Sequence, residues 1–201
     1  MRVLLDSGLR PSVGPGMTHC NSSAFYIPRE CCIKSGKDLN VNAPTLIIRE
    51  IHIHERPVRL RMPFRFGVVT LTEAPQCFVR VRIERADGRS EWGAAAELLA
   101  PKWFDKSLAL SNEDNFDQLR LSLALAADAY TRDARERTAF GHFAAHYEEQ
   151  IAAGKKRDLN RLVSNYGPAQ IDRAILDALC RGIGCSFYDA IRHNLPGINP
   201  A

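Results

Sequence analysis

Two periodicities divide the chain. Between residues 45 and 97 polar and apolar positions alternate, and from residue 111 onward apolar residues recur every three to four positions. A period of two marks a strand with one buried face, and a period of 3.6 marks an amphipathic helix. Residues 45–56 (TLIIREIHIHER) put Ile47, Ile51 and Ile53 on one strand face and Glu50, His52 and His54 on the other. In residues 77–85, Cys77, Val79, Val81 and Ile83 alternate with Phe78, Arg80, Arg82 and Glu84. Ala86-Asp87-Gly88-Arg89 predicts a type I′ hairpin turn, since Asp-Gly tolerates positive φ. Residues 90–97 (SEWGAAAE) complete a meander, and Gly93 with three alanines leaves room for something bulky to pack close.

The helical half opens at Ser111, a good N-cap followed by Glu113 and Asp114 in the first turn. Phe116, Leu119, Leu123, Ala126, Ala127 and Tyr130 then form a stripe. A second helix is predicted over 136–153, ended by Gly154. Pro168 suits the first turn of a third, which carries Ile171, Ile175, Leu176 and Leu179 and stops at Gly182 and Gly184. Ser186 caps a short fourth. The pattern predicts an α+β fold: a three-stranded antiparallel β-meander followed by a three- to four-helix bundle on one of its faces. Residues 1–44, rich in Gly, Pro, Ser and Asn, lack sustained periodicity and read as a disordered or loosely packed extension, dispensable to a domain over 45–201.

Composition narrows the function classes. Hydrophobic residues make up 45% and charged residues 25% of the 201, enough for one cored domain. The formal charge of +4 is spread along the chain without a basic stripe and stacking aromatics, so nucleic acid is not an expected partner. No run of eighteen apolar residues predicts a membrane helix, and the N-terminus lacks a long apolar segment, so a cytoplasmic location and no membrane partner are expected. The six cysteines include no CxxC pair and read as free thiols.

Few residues suggest chemistry. His52 and His54 form an H-x-H on a strand, but a solvated face explains them. His142 and His146 lie four apart on a helix with Glu149 near, a spacing compatible with a metal, yet without the Glu of H-E-x-x-H. Glu97 and Asp105 are a carboxylate pair in sequence only. Pro63, Phe64, Phe66, Trp103 and Phe104 stand apart as apolar residues in loop-like segments. They either cover the domain's own core or line a pocket wall.

Several segments carry a family resemblance. Arg59-Leu60-Arg61-Met62-Pro63-Phe64-Arg65-Phe66-Gly67 resembles a mobile loop between the first two strands, with the next strand starting near Thr70. Trp92-Gly93-Ala94-Ala95-Ala96-Glu97 is similar, loosely, to a third strand built around G-x-G-E. Residues 98–106 take the place of a second specificity loop, and Ala169-Gln170-Ile171-Asp172-Arg173-Ala174-Ile175-Leu176-Asp177-Ala178 is similar to an A-x-[DE]-x-A-[LI]-x-D helix. Their order resembles the N-terminal capping domain of the enolase superfamily, in its mandelate racemase and muconate lactonising enzyme branch.

The resemblance covers residues 45–201 and implies the following. In full-length relatives the cap closes the substrate pocket, while a barrel holds Mg²⁺ and the groups that abstract a proton α to a carboxylate. Only 24 residues follow Asp177, against roughly 250 in a whole barrel. The resemblance therefore implies a capping-domain fragment from a truncated or frameshifted gene, with no catalytic residue, metal ligand or cofactor of its own. The alternatives are half of a split enzyme, completed by a separately encoded barrel, and a stand-alone interaction module. With no barrel, the stripe Ile171, Ile175, Leu179, Ala174 and Ala178 is expected to be partly exposed together with Phe64, Phe66, Trp103 and Phe104, favouring self-association.

Overall fold

The computed structural model describes residues 43–67 and 69–199. The reading of residues 1–44 as a loose extension falls almost wholly outside them. Strands β1 (Leu46–Phe66), β2 (Val69–Arg85) and β3 (Ser90–Leu98) form an antiparallel sheet in the order β1-β2-β3. Helices α1 (Asn112–Arg132), α2 (Ala139–Lys155), α3 (Arg161–Ser164), α4 (Tyr166–Ile183) and α5 (Phe187–Arg192) follow. The α+β expectation is met: a meander, then helices on one of its faces, with α3 a single additional turn. No helix among the described residues is long and apolar enough to cross a membrane.

The sheet departs from its predicted pattern in three places. A bulge between Ile48 and Glu50 leaves Arg49 without a register partner, so the inward set is Leu46, Ile48, Ile51 and Ile53, and Ile47 lies on the other face opposite Glu84. One extra residue flips every later side chain of a strand. Arg59–Gly67, expected as a loop, continues β1 as far as Phe66, and β2 begins at Val69. The segment forms part of a long hairpin whose second irregularity absorbs residues 60–63 opposite Thr72. The turn after β2 is not type I′. Gly88 alone takes positive φ (77°), while the Gly88 N–H donates to Arg85 O at 2.8 Å and the Arg85 N–H to Arg89 O at 2.9 Å. That is a type I turn closed by a glycine bulge.

The helices begin where short polar side chains cap them. Ser111 Oγ accepts from the Asp114 N–H at 3.1 Å while Asp114 Oδ2 accepts from the Ser111 N–H at 2.7 Å, a complete capping box. Thr138 caps α2, which starts three residues later than predicted and runs through Gly154, its predicted stop, to Lys155. Arg137 is held instead in a two-way backbone bridge to Leu46, with N···O distances of 2.7 and 3.1 Å. Asn160 caps the unpredicted α3, and Gly184, at φ 74°, ends α4.

The core lies between the inner sheet face and α1 and α4. Val79, Val81 and Ile83 meet Ile171, Ile175 and Leu179 of α4 and Leu119, Leu123 and Ala126 of α1, all buried. The expected exposure of the α4 stripe is thus overturned: Ile171, Ala174, Ile175, Ala178 and Leu179 are each 0% exposed. α4 reaches β3 at Gly93, where an added Cβ would sit 2.1 Å from Ala174 O and 2.2 Å from Ala178 N. A second close approach is built on hydrogen bonds. Ser122 of α1 donates to Ser164 O and accepts from the Gly167 N–H, both at 3.0 Å. Gln150 of α2 donates to Ser122 O at 3.1 Å and Ser164 O at 2.8 Å. This buried network satisfies the backbone groups left open where α3 gives way to α4.

Candidate functional site

The apolar residues singled out in the sequence separate into two sets. Pro63, Phe64 and Phe66 lie near the tip of the β1–β2 hairpin, and Trp103 and Phe104 on the segment after β3. Phe66 bridges them, with ring centroids 5.5 Å from Phe64 and 5.4 Å from Trp103. Phe64 and Trp103 are more than half exposed, at 54% and 56%, and Met62 and Leu108, which the sequence reading passed over, are more exposed still. Phe104 turns the other way, its ring centroid 5.2 Å from buried Tyr166, and serves the core. So Phe64, Phe66 and Trp103 form one surface, Pro63 sits exposed in the irregular stretch beside it, and Phe104 does not join them.

This surface is held by a fixed frame. Lys102, in the left-handed region at φ 61°, gives its N–H to Asn115 Oδ1 at 3.0 Å. Its ammonium donates to Ser107 O and Leu110 O. Asp105 accepts from the Ser107 N–H at 2.9 Å and from Gln118 at 3.1 Å, bonds that hold its carboxyl below the ordinary range. Asn160 donates to Phe104 O at 3.2 Å. The segment carrying Trp103 is therefore anchored to α1 and to the start of α3. A groove of about 500 Å³ lies between it and the hairpin, lined by Phe66, Val69, Trp103 and Leu108, with Lys102 and Lys106 at its rim. It offers apolar contact and the positive charge of two lysines.

The other candidates are engaged structurally. His52 lies on the outer sheet face beside Glu50 (3.2 Å) and Trp92 (5.1 Å between rings), with His54 farther along. His142 and His146 are buried: His142 Nε2 is 2.9 Å from Leu46 O, and the His146 ring lies tilted 4.7 Å from that of Tyr130 and 3.3 Å from Asp133. Desolvation lowers the pKa of both. Glu97 pairs with Arg173 at 2.8 Å, far in role from the anchored Asp105. Cys77 is buried and its thiol pushed up to about 12, chiefly by desolvation.

The Mg²⁺ that the resemblance implies for full-length relatives finds no fit here. Among the described residues no three His, Cys, Asp or Glu side chains converge as a metal site. Two of the less exposed acids are already committed, Glu55 to Arg120 at 3.0 Å and Asp133 to Arg135 and Arg137 at 2.8 and 3.1 Å, and Asp172 has no second acid beside it among the described residues. Hard cations need several convergent oxygens, so no step is derived through a metal on this chain.

No protein-family model and no curated protein matches this chain. Solved structures do. An enolase from the alphaproteobacterium bal199, with bound Mg, is 16% identical with a TM-score of 0.43, and covers 69% of this chain and 32% of its own. A mandelate racemase/muconate lactonizing enzyme is 17% identical, with a TM-score of 0.44 and the same coverage. A dipeptide epimerase from Cytophaga hutchinsonii, complexed with Mg and a dipeptide, is 18% identical with a TM-score of 0.31, over 72% of this chain and 30% of its own. This chain spans about a third of the length of each.

Proposed function

We propose that residues 45–201 act as a capping domain of the mandelate racemase/muconate lactonising type, whose hairpin tip and Trp103 segment wall the substrate pocket of a catalytic barrel. The observation that supports this reading is the meeting of two segments that carry the resemblance, the helix motif and the more loosely similar third strand. Gly93 of the W-G-A-A-A-E strand lies against Ala174 and Ala178 of the Q-I-D-R-A-I-L-D-A helix, and the Ala94 N–H donates to Asp177 at 2.9 Å. The exposed wall of Phe64, Phe66 and Trp103 lies on the same sheet and on the segment that follows β3. The wall supplies apolar contact, and no residue of the site supplies acid or base. Chemistry would belong to the barrel, as would the Mg²⁺, and the barrel is this chain's proposed partner, whether carried on the same polypeptide or encoded separately.

A second reading has its own support. The α4 stripe is closed inside the domain, which favours a self-sufficient module that uses the Phe64–Trp103 surface for association, including with itself. Exposed apolar patches of a few hundred Å² are ordinarily sites of contact. Solvent-deuterium incorporation into carboxylic acids, measured with the chain alone and with a cap-deleted barrel of the mandelate racemase/muconate lactonising type, separates the two. Exchange that needs both components supports the cap, and association of the chain without any effect on a barrel supports the module.

A further inference from the structure

A partly enclosed cavity of about 170 Å³ opens on the side of α4 turned away from the sheet. Phe140 and Phe143 of α2, Leu176 of α4, Ile191 of α5 and Ile198 of the C-terminal segment form its apolar walls, and Asp172 is its one charged lining residue. The walls are preformed. The Phe140 N–H donates to Pro196 O at 2.9 Å, and Asn194 clamps Ile198 by two hydrogen bonds, its Oδ1 accepting from the Ile198 N–H at 2.7 Å and its Nδ2 donating to Ile198 O at 3.0 Å. Gly197, at φ 71°, turns the segment back against Thr138.

Asp172 is poorly served by the protein. The Tyr130 hydroxyl donates to Oδ1 at 3.1 Å, and Oδ2 has no hydrogen-bond partner among the described residues. No cation among the described residues pairs with it, although the same helix offers Arg173 and Arg181, which bond Glu97 and Asp177 instead. Burial raises its carboxyl to about 7, against the Tyr130 hydrogen bond, which works to lower it. A carboxyl held in apolar surroundings with an open acceptor is costly unless something else completes it.

We infer that this cavity binds a small primary ammonium ion bearing one ring or a short branched alkyl group, with Asp172 Oδ2 as its counter-ion. Each half of that ligand answers one property of the site. The apolar walls desolvate a hydrocarbon group, and a cavity of 150 Å³ is known to hold a benzene ring, so 170 Å³ takes one ring and little more. An ammonium supplies the donor and the positive charge that Oδ2 lacks, in a charge-assisted bond. A neutral hydrocarbon would leave that oxygen desolvated and bare, and an anion would be repelled.

The experiment is a methyl-resolved NMR titration of the full chain with benzylamine, benzyl alcohol and benzoate. Benzylamine is expected to shift the methyls of Leu176, Ile191 and Ile198 saturably below about 10 mM, with benzyl alcohol roughly tenfold weaker or more and benzoate without effect. Asp172→Asn, nearly isosteric, should weaken benzylamine by about tenfold or more while leaving the circular dichroism unchanged. Ile191→Trp, which fills the cavity and leaves Asp172 intact, should abolish the shifts at Leu176 and Ile198. If Asp172→Asn does not fold, the ligand series and Ile191→Trp decide. Equal affinity for benzylamine and benzyl alcohol, no saturable shift, or undiminished binding to either folded variant would overturn the inference.

Discussion

The carboxylate of Asp177 accepts a hydrogen bond from the backbone N–H of Ala94 at 2.9 Å. Ala94 lies on β3, an edge strand, and two residues on Ala96 O receives Arg173 Nη2 at 3.2 Å. Helix α4 thereby covers both kinds of open backbone group on that edge, and sheet edges left open invite pairing with other chains. Asp177→Ala is expected to cost about 1 kcal/mol in urea unfolding, as befits a partly exposed hydrogen bond, and to increase self-association at high concentration. Gly93→Ala, which drives a methyl into the α4 backbone, should cost more, about 1–3 kcal/mol or beyond, because backbone cannot step aside. Equal stability of Gly93→Ala and the parent would mean that the helix and sheet do not meet as described.

The buried network around Ser122 makes a separate prediction. Gln150→Leu keeps the volume but strips the donor from two buried carbonyls, Ser122 O and Ser164 O. Ser164 O keeps its bond from the Ser122 hydroxyl, so a loss of about 1 kcal/mol is expected by urea titration. A neutral result would show that water replaces the amide.

Much of this was legible beforehand, and the gaps have physical causes. Alternation at Cys77, Val79, Val81 and Ile83 marks a strand because all four face one core, and all four are buried. Ser111 with Asp114 announces a cap because the reciprocal bonds are local. Arg49 is different: a bulge is decided by pairing with a distant strand, so the alternation of Ile47, Ile51 and Ile53 misassigns Ile47. The hairpin from Arg56 to Gln76 is exposed over much of its length, and the alternation it carries, Val58, Leu60 and Met62 against Arg59 and Arg61, breaks at Pro63, so the segment reads as a loop. At the candidate site, proximity of Phe66 to Trp103 is a tertiary fact, and so is the inward turn of Phe104. Asp172 was read only as part of a motif, since nothing in sequence tells that its open oxygen faces a cavity.

Asp172 also sets a pH dependence. Its folded carboxyl titrates near 7, above the ordinary value of 3.8, so the folded state holds this proton more tightly than the unfolded chain. The associated stability is fully present below about pH 4 and is lost as the pH rises through about 7, at up to about 1.4 kcal/mol per pH unit. Asp172→Asn, which stays neutral, should therefore gain stability over the parent between pH 4 and 8, read as diverging thermal midpoints. Parallel midpoints across that interval would show that the carboxyl is not desolvated in the folded protein.

The exposed wall can be separated from the core by substitution. Phe64→Ser and Trp103→Ser should reduce binding of a hydrophobic dye such as ANS, and any self-association, while shifting unfolding by no more than about 0.5 kcal/mol, as for surface positions. Phe104→Ser removes a ring packed on Tyr166 and should cost about 2 kcal/mol or more. The reverse ranking would mean that Trp103 and Phe64 belong to the core and Phe104 to the surface.

The central claim is that this domain shapes a pocket and leaves the chemistry to a barrel. Solvent-deuterium incorporation at the α-carbon tests it most directly, using α-hydroxy and N-acyl amino acids with Mg²⁺ present. The account predicts no incorporation by the purified 201-residue chain, and incorporation when a cap-deleted barrel is supplied with it. Incorporation catalysed by the chain alone would contradict the account.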